Sequence, residues 1–165
     1  MKAYRGHLLH IGGFPRLAGA RHHLVSEPDG VIVVDDTGRI VASGDHARTD
    51  TSDADIVDRR PGFLVPGFVD THIHFPQTYC TDSYGGGQLL NWLERCIFPA
   101  EAELADPEFA SAAARDFCRR RIDVGTTTAL VFGSAFPAAQ DALFTESMRT
   151  GLRTISGRGI QTVGP

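Results

Sequence analysis

Apolar and polar positions follow two different rhythms along the chain. Up to about residue 66, short β-branched runs are separated by polar turn residues, and the runs at 31–34 and 39–44 flank an Asp-Asp-Thr-Gly cluster. This pattern predicts a strand, a tight turn and a strand, and an apolar run at 4–11 predicts another strand. The polar stretch 46–55 predicts a loop. We therefore expect residues 1–66 to form a β-rich segment.

Beyond residue 66 the pattern alternates between strands and helices. Predicted strands cover 68–74, 126–132 and 152–156, and predicted helices cover 88–98, 107–124 and 137–150. The second helix has strong boundary signals, with Asp106 as N-cap, Pro107 at the first helical position and Gly125 as its stop. Strand-helix alternation predicts parallel strands joined by right-handed crossovers, which is an α/β fold.

Composition and charge narrow the class of protein. The chain has 165 residues and a formal net charge of -4, which argues against a general nucleic-acid or membrane-surface binder. Its three cysteines, Cys80, Cys96 and Cys118, form neither a disulfide framework nor a Cys-x-x-Cys metal knuckle. Free thiols fit a reducing compartment, and the sequence has no apolar stretch of membrane-spanning length. We therefore expect a cytoplasmic location.

The residues that carry chemistry lie in the segment VDTHIHFPQ. Positions i and i+2 of a strand share a face, so Asp70, His72 and His74 are expected to point the same way. Neighbouring imidazoles can turn ring nitrogens toward one cation, and Zn²⁺ accepts such ligands. His74 lies at the end of its predicted strand, before Pro76, and the carboxyl ends of barrel strands face the active site. The segment therefore predicts part of a zinc site.

The residues alone leave two interpretations of this pair, a metal site and a surface pair without a metal. A His-x-His pair also arises by chance as a surface pair, and catalytic zinc usually has three protein ligands. The other five histidines lie in the β-rich segment, and no histidine follows His74. Acids such as Asp82 and Glu94 are available, but no spacing selects either of them.

The stretch PGFVDTHIHFPQT, residues 66–78, resembles the metal-dependent amidohydrolase superfamily. The resemblance implies that the Asp-x-His-x-His strand is the first strand of a (β/α)8 barrel, and that a small β-sandwich segment precedes it. Residues 1–66 are then the N-terminal β-rich segment. Residues 67–165 are the first βα units of the barrel.

Within that superfamily, HIHFPQT, LLNWLERCIFPAEAEL and VGTTTALVF resemble the guanine deaminases. The resemblance implies hydrolysis of guanine to xanthine and ammonia with one zinc ion per active site. It makes His72 and His74 the first two zinc ligands and Gln77 a substrate-binding residue, with a purine as the small-molecule substrate. The catalytic residues are unknown, because the family takes them from later strands. Two roles remain for Trp92: it could stack on a substrate, or it could anchor its helix.

The chain is too short for the complete barrel that the resemblance implies. A complete barrel needs about 250 residues, whereas fewer than ~100 follow Pro66 and hold three of eight strands. We therefore expect the N-terminal portion of a longer enzyme, whose full-length form could be a homodimer. The alternatives are another heterocycle aminohydrolase or chlorohydrolase of the superfamily, and a non-catalytic fragment that needs a partner chain.

Overall fold

A computed structural model describes residues 1–13, 23–80 and 87–160. By its internal contacts the chain divides into two compact units, Met1–Pro66 and Gly67–Pro165. Each unit contains its own β-sheet. None of the helices in the described ranges has the length and apolar character needed to cross a membrane.

The first unit contains a four-stranded sheet in the order β3-β2-β1-β4. Its strands are β1 (Lys2–Ile11), β2 (Leu24–Val34), β3 (Ile40–Asp45) and β4 (Asp55–Leu64). Strand β2 is antiparallel to β1 and β3, whereas β4 runs parallel to β1. The predicted hairpin is the turn between β2 and β3, where the Asp35 carboxylate accepts hydrogen bonds from the backbone of Thr37 and Arg39. Buried Ala3, Val31 and Val33 form a small core.

Strand β4 was not predicted from the pattern of its residues. Its sequence DIVDRRPGFL contains Pro61 and Gly62, which read as a turn, and nearly all of its residues are exposed. Because β4 lies at the edge of the sheet and its register with β1 shifts between Asp58 and Phe63, Pro61 lies where the ladder is interrupted, and prolines are tolerated at such places. Pairing with β1, and not an internal alternation of side chains, determines this strand.

The second unit contains a parallel sheet in the order β5-β6-β7, joined by helices. Its strands are β5 (Phe68–His74), β6 (Thr126–Phe132) and β7 (Arg153–Gly157). Its α-helices are α1 (Leu89–Trp92), α2 (Phe98–Ala102), α3 (Pro107–Asp123) and α4 (Pro137–Thr150). A π-helical stretch, Leu93–Ile97, connects α1 to α2, and 3₁₀ turns cover Phe75–Gln77 and Glu103–Ala105. This confirms the predicted α/β class and the start of a barrel.

Helices α3 and α4 have the boundaries that their sequences predict. The Asp106 side chain accepts a hydrogen bond of 2.9 Å from the backbone N–H of Glu108, which caps α3. Gly151 follows α4 in the left-handed conformation, with φ of 78°, which glycine adopts without strain.

The two faces of the parallel sheet differ in exposure: one packs against helices, and the other carries exposed side chains. Residues of β6 alternate, with Ala129 and Val131 in the core against α3 and α4, and Leu130 and Phe132 exposed. Ile155 of β7 is aligned with Leu130 and is exposed as well. The second face therefore carries apolar side chains at a surface, and the histidine pair lies on this side next to Phe132.

Candidate metal centre

The two histidines of β5 lie side by side. The Nε2 atoms of His72 and His74 are 3.3 Å apart, and their ring centroids are 5.3 Å apart. Two nitrogens bound at about 2.0–2.1 Å to one tetrahedral ion lie about 3.3–3.4 Å from each other. The pair therefore has the separation that two ligands of one zinc ion require.

The strand geometry produces this arrangement at the carboxyl end of β5. His72 and His74 are alternate residues, and the backbone N–H of His72 donates to the Asp70 carboxylate at 3.1 Å. Asp70 thus contacts the backbone of the strand here. After His74 the chain turns at once into the Phe75–Gln77 3₁₀ turn, with Pro76 in its first turn, because proline fixes the backbone and cannot continue a strand ladder.

An aromatic ring of the neighbouring strand β6 contacts both imidazoles. Phe132 stacks on His74 with ring centroids 4.6 Å apart and planes 12° from parallel. It also contacts His72 at 4.8 Å with tilted planes. Phe132 thereby restricts the orientation of the two rings.

The surroundings of His74 favour its neutral form. Partial burial is the main cause that lowers the pKa of His74 below its ordinary value, and a charge on His72 lowers it further, while Glu101 acts in the opposite direction. A neutral imidazole offers a ring-nitrogen lone pair, which metal binding requires.

Gln77 and Glu101 extend the cluster. The Gln77 Nε2 atom lies 3.4 Å from His74 Nδ1 and 3.4 Å from Glu101 Oε1. Glu101 belongs to α2 and was not singled out from the sequence. The sequence could have pointed to Glu101, because it is the last residue of the Phe-Pro-Ala-Glu segment, on which the resemblance to guanine deaminases partly rests.

A cavity of about 300 Å³ opens beside the cluster. Its lining includes His72, His74 and Gln77, together with Arg120 and Arg121 of α3. Arg120 donates to the backbone oxygen of Thr78 at 3.0 Å, which ties α3 to the chain just beyond Gln77. The cavity leaves room for a small molecule next to the histidine pair.

Further metal ligands are not gathered around the pair in the part of the chain that the structure describes. Residues 1–13, 23–80 and 87–160 contain no group of three or more His, Cys, Asp and Glu side chains with metal-binding geometry. Glu94 is an exposed residue of the π-helical stretch, and Asp82 lies outside the described residues. The described chain thus brings together two candidate nitrogen ligands, His72 and His74.

Trp92, at the end of α1, is partly buried. Its Nε1 atom is buried and has no hydrogen-bond partner within the described ranges. The buried Nε1 favours the anchoring role, because it places the polar edge of the ring inside the protein.

The chain belongs to the amidohydrolase family, whose sequence pattern matches residues 63–162. Within that family it is similar to guanine deaminases. It is 41% identical over 164 residues to a probable guanine deaminase of Deinococcus radiodurans, a match that covers 96% of this chain and 37% of the relative. The solved structure of E. coli guanine deaminase matches with a TM-score of 0.86 at 33% identity, over 100% of this chain and 39% of that one.

A third relative is named as a deaminase of adenosine derivatives. The chain is 37% identical over 152 residues to a 5-methylthioadenosine/S-adenosylhomocysteine deaminase of Halobacterium salinarum, covering 90% of this chain and 33% of the relative. The chain thus spans less than two fifths of the length of each of these three proteins.

Proposed function

We propose that this chain is the N-terminal portion of a zinc-dependent guanine deaminase, which hydrolyses guanine to xanthine and ammonia in purine catabolism. The similarity to guanine deaminases supports the substrate. The observation that carries the metal assignment is the 3.3 Å separation of the His72 and His74 Nε2 atoms. On this proposal residues 1–66 contribute to a composite β-sandwich, and residues 67–165 begin a (β/α)8 barrel.

His72 and His74 would hold one zinc ion through Nε2. Their spacing suits a tetrahedral ion, and the lowered pKa of His74 keeps a lone pair available at neutral pH. The remaining ligands would come from outside the described residues. When bound, the metal supplies Lewis-acid activation of water near neutral pH.

Gln77 would bind the heterocycle. It follows His74 by three residues, and its amide offers both a donor and an acceptor to the mixed edge of a purine. Phe132 would keep the two imidazoles in place from the neighbouring strand. The residues of this chain thus orient substrate and metal.

The reaction adds water across one carbon–nitrogen bond. A carbon–oxygen bond forms at the amine-bearing ring carbon, the carbon–nitrogen bond breaks, and the leaving nitrogen takes a proton to depart as ammonia. An acid-base group must move that proton. We assign no residue of this chain to the transfer.

A second candidate is deamination of an adenine-type purine. The similarity to the Halobacterium deaminase favours it, and the histidine pair would serve either reaction. A further alternative is that these residues form a non-catalytic chain that a partner completes. We propose a cytoplasmic enzyme that acts on a small molecule and not on nucleic acid or membranes, with a homodimer as an option for the full-length form.

The test combines zinc content with product analysis. The complete polypeptide that carries this chain is purified as wild type, H72A, H74A and H46A, the last of which removes an imidazole from the first unit. We expect one zinc per wild-type chain, equal release of xanthine and ammonia from guanine, and loss of zinc only in H72A and H74A.

Two outcomes contradict the proposal, and a third excludes one of its alternatives. Full zinc in H72A and H74A would exclude the ligand assignment. A zinc-loaded wild type that deaminates 5-methylthioadenosine and not guanine would establish the second candidate. Turnover by the 165-residue chain alone, as a monomer in size-exclusion chromatography, would exclude the partner-chain alternative.

A further inference from the structure

Gln77 is placed between a carboxylate and an imidazole. Its Nε2 atom lies 3.4 Å from Glu101 Oε1 on one side and 3.4 Å from His74 Nδ1 on the other. All three side chains are partly buried, which strengthens electrostatic contacts relative to those in water. The orientation of the Gln77 amide is therefore set by these two neighbours.

The carboxylate imposes a direction on that amide. An ionised glutamate only accepts hydrogen bonds, whereas a glutamine amide carries donors on Nε2 and an acceptor on Oε1. With Nε2 toward Glu101 the contact is a charge-assisted hydrogen bond. If the amide were flipped, Oε1 would face the carboxylate, and two acceptors would oppose each other. Glu101 thus selects one of the two amide orientations.

The imidazole favours the opposite orientation when it binds a metal. A neutral His74 that offers its Nε2 lone pair carries its proton on Nδ1, so Nδ1–H becomes a donor that would favour Oε1 on its side of Gln77. The Glu101 contact involves a full negative charge and is the stronger of the two, so it directs Nε2. Oε1 consequently points away from Glu101.

We propose that Glu101 is a positioning residue that orients the Gln77 amide, so that Gln77 presents its Oε1 acceptor to an N–H group of a purine substrate. This inference rests on the proposed function. It also bears on substrate choice, because guanine carries a ring N–H, at N1, beside its leaving amine. An adenine ring substituted at N9 has only acceptor nitrogens in its rings. The Glu101–Gln77 pair therefore favours guanine over N9-substituted adenines.

The first experiment observes the amide directly. The Gln77 side-chain ¹H–¹⁵N resonances are assigned in the zinc-loaded protein by their loss in Q77E, and are then compared in E101Q and E103Q. Both variants neutralise one carboxylate, but Glu103 lies two residues further on and is exposed. We expect E101Q to shift the Gln77 amide resonances and E103Q to leave them in place. Unchanged resonances in E101Q would overturn the proposal.

The second experiment exchanges the two side chains. E101Q frees the Gln77 amide to flip, so we expect kcat/KM for guanine to fall about 10-fold, mainly through KM. Q77E alone opposes two carboxylates and should lower kcat/KM by about 100-fold. The double variant Q77E/E101Q restores a carboxylate–amide pair with an acceptor toward the substrate, and should recover to within about 10-fold of wild type. E103Q should match wild type.

The outcomes separate this inference from the proposed function. Additive losses in the double variant, or equal kinetics of E101Q and E103Q, would overturn the role of Glu101 while guanine deamination stands. A wild-type protein that does not deaminate guanine would overturn the proposed function and with it the guanine preference, and the amide resonances would then decide the Glu101–Gln77 pairing alone. Circular dichroism and melting curves identify any variant that does not fold, and the recovery of the double variant is measured on folded protein.

Discussion

Phe132 of β6 lies flat against His74 of β5, with ring centroids 4.6 Å apart and planes 12° from parallel. The two residues are partners in the parallel register of the sheet, so the strand pairing itself brings the rings together. Phe132 remains 48% exposed, which means that it contributes little to the core. Its ring contacts both imidazoles.

We expect F132A to weaken zinc binding more than folding. An aromatic pair contributes roughly 0.5–1.5 kcal/mol beyond area burial, which corresponds to a loss of about 2- to 12-fold in zinc affinity. Isothermal titration calorimetry with a competing chelator measures this loss, and urea unfolding measures stability.

Leu130 provides the matched control for that variant. It lies on the same strand and the same exposed face, it is aligned with Ile155 of β7, and it has no ring to stack on an imidazole. L130A should therefore leave zinc affinity within about twofold of wild type, as expected for an exposed side chain whose removal breaks no stacking contact. Equal losses in F132A and L130A would show that the effect comes from the sheet as a whole.

The sequence was sufficient to predict the strand that carries the histidine pair, and it did not reveal the contacts that orient the pair. Alternation within β5 places His72 and His74 on one face, and this follows from local geometry alone. The contact with Phe132 depends on the register between β5 and β6, which shifts twice along the pair. A register of this kind is set by packing and is not encoded in either strand by itself.

Glu101 and strand β4 illustrate two further limits. Glu101 lies 24 residues from Gln77 in sequence, and an irregular helical segment that includes a π-helical stretch separates them, so no regular spacing predicts the contact. Strand β4 has turn-like residues and gains its structure by pairing with β1. In both cases a long-range partner supplies what the local pattern lacks.

Phe75 connects the candidate site to the core of the second unit. It follows His74 directly and is fully buried. Its ring packs edge-on against that of Phe117 in α3, with ring centroids 5.7 Å apart. Truncation of a buried phenylalanine costs about 3–5 kcal/mol, so we expect F75A to lower the free energy of unfolding by about that amount and to weaken zinc binding with it. Urea denaturation followed by tryptophan fluorescence and circular dichroism measures the change.

Met148 is the comparison for Phe75. It lies on α4 with 80% of its surface exposed, and M148A should change the free energy of unfolding by less than about 0.5 kcal/mol. A small loss in F75A, similar to that of M148A, would show that the turn after β5 does not depend on the core.

The N-cap of α3 is a second determinant of stability. Asp106 accepts from the Glu108 backbone N–H at 2.9 Å, and α3 carries Phe117 against Phe75. We expect D106A to lower the free energy of unfolding by about 1 kcal/mol. D106N should lose much less, because an asparagine oxygen can accept the same bond. Thermal unfolding of wild type, D106A and D106N ranks their stabilities, and equal losses in D106A and D106N would contradict the capping role.

Two aspartates of the first unit have guanidinium partners that make stability depend on acid pH. Arg60 donates to the carboxylate of Asp58 and holds the pKa of Asp58 well below its ordinary value. Arg5 lowers the pKa of Asp29 in the same way, with Nε to Oδ1 at 2.6 Å. Both carboxylates therefore stay ionised in the folded unit at pH values where they would take up protons in an unfolded chain.

This difference predicts a loss of stability in acid. Because the folded pKa values are depressed, the unfolded state binds more protons as the pH falls below about 4. The contribution of the two pairs is therefore complete above that pH and declines as acid is added. We expect the urea midpoint of unfolding to fall from pH 5 to pH 3, and to fall less steeply in D58N. D53N removes an exposed carboxylate of the same unit and should keep the wild-type slope, whereas equal slopes in D58N and wild type would exclude Asp58 as a source of the acid sensitivity.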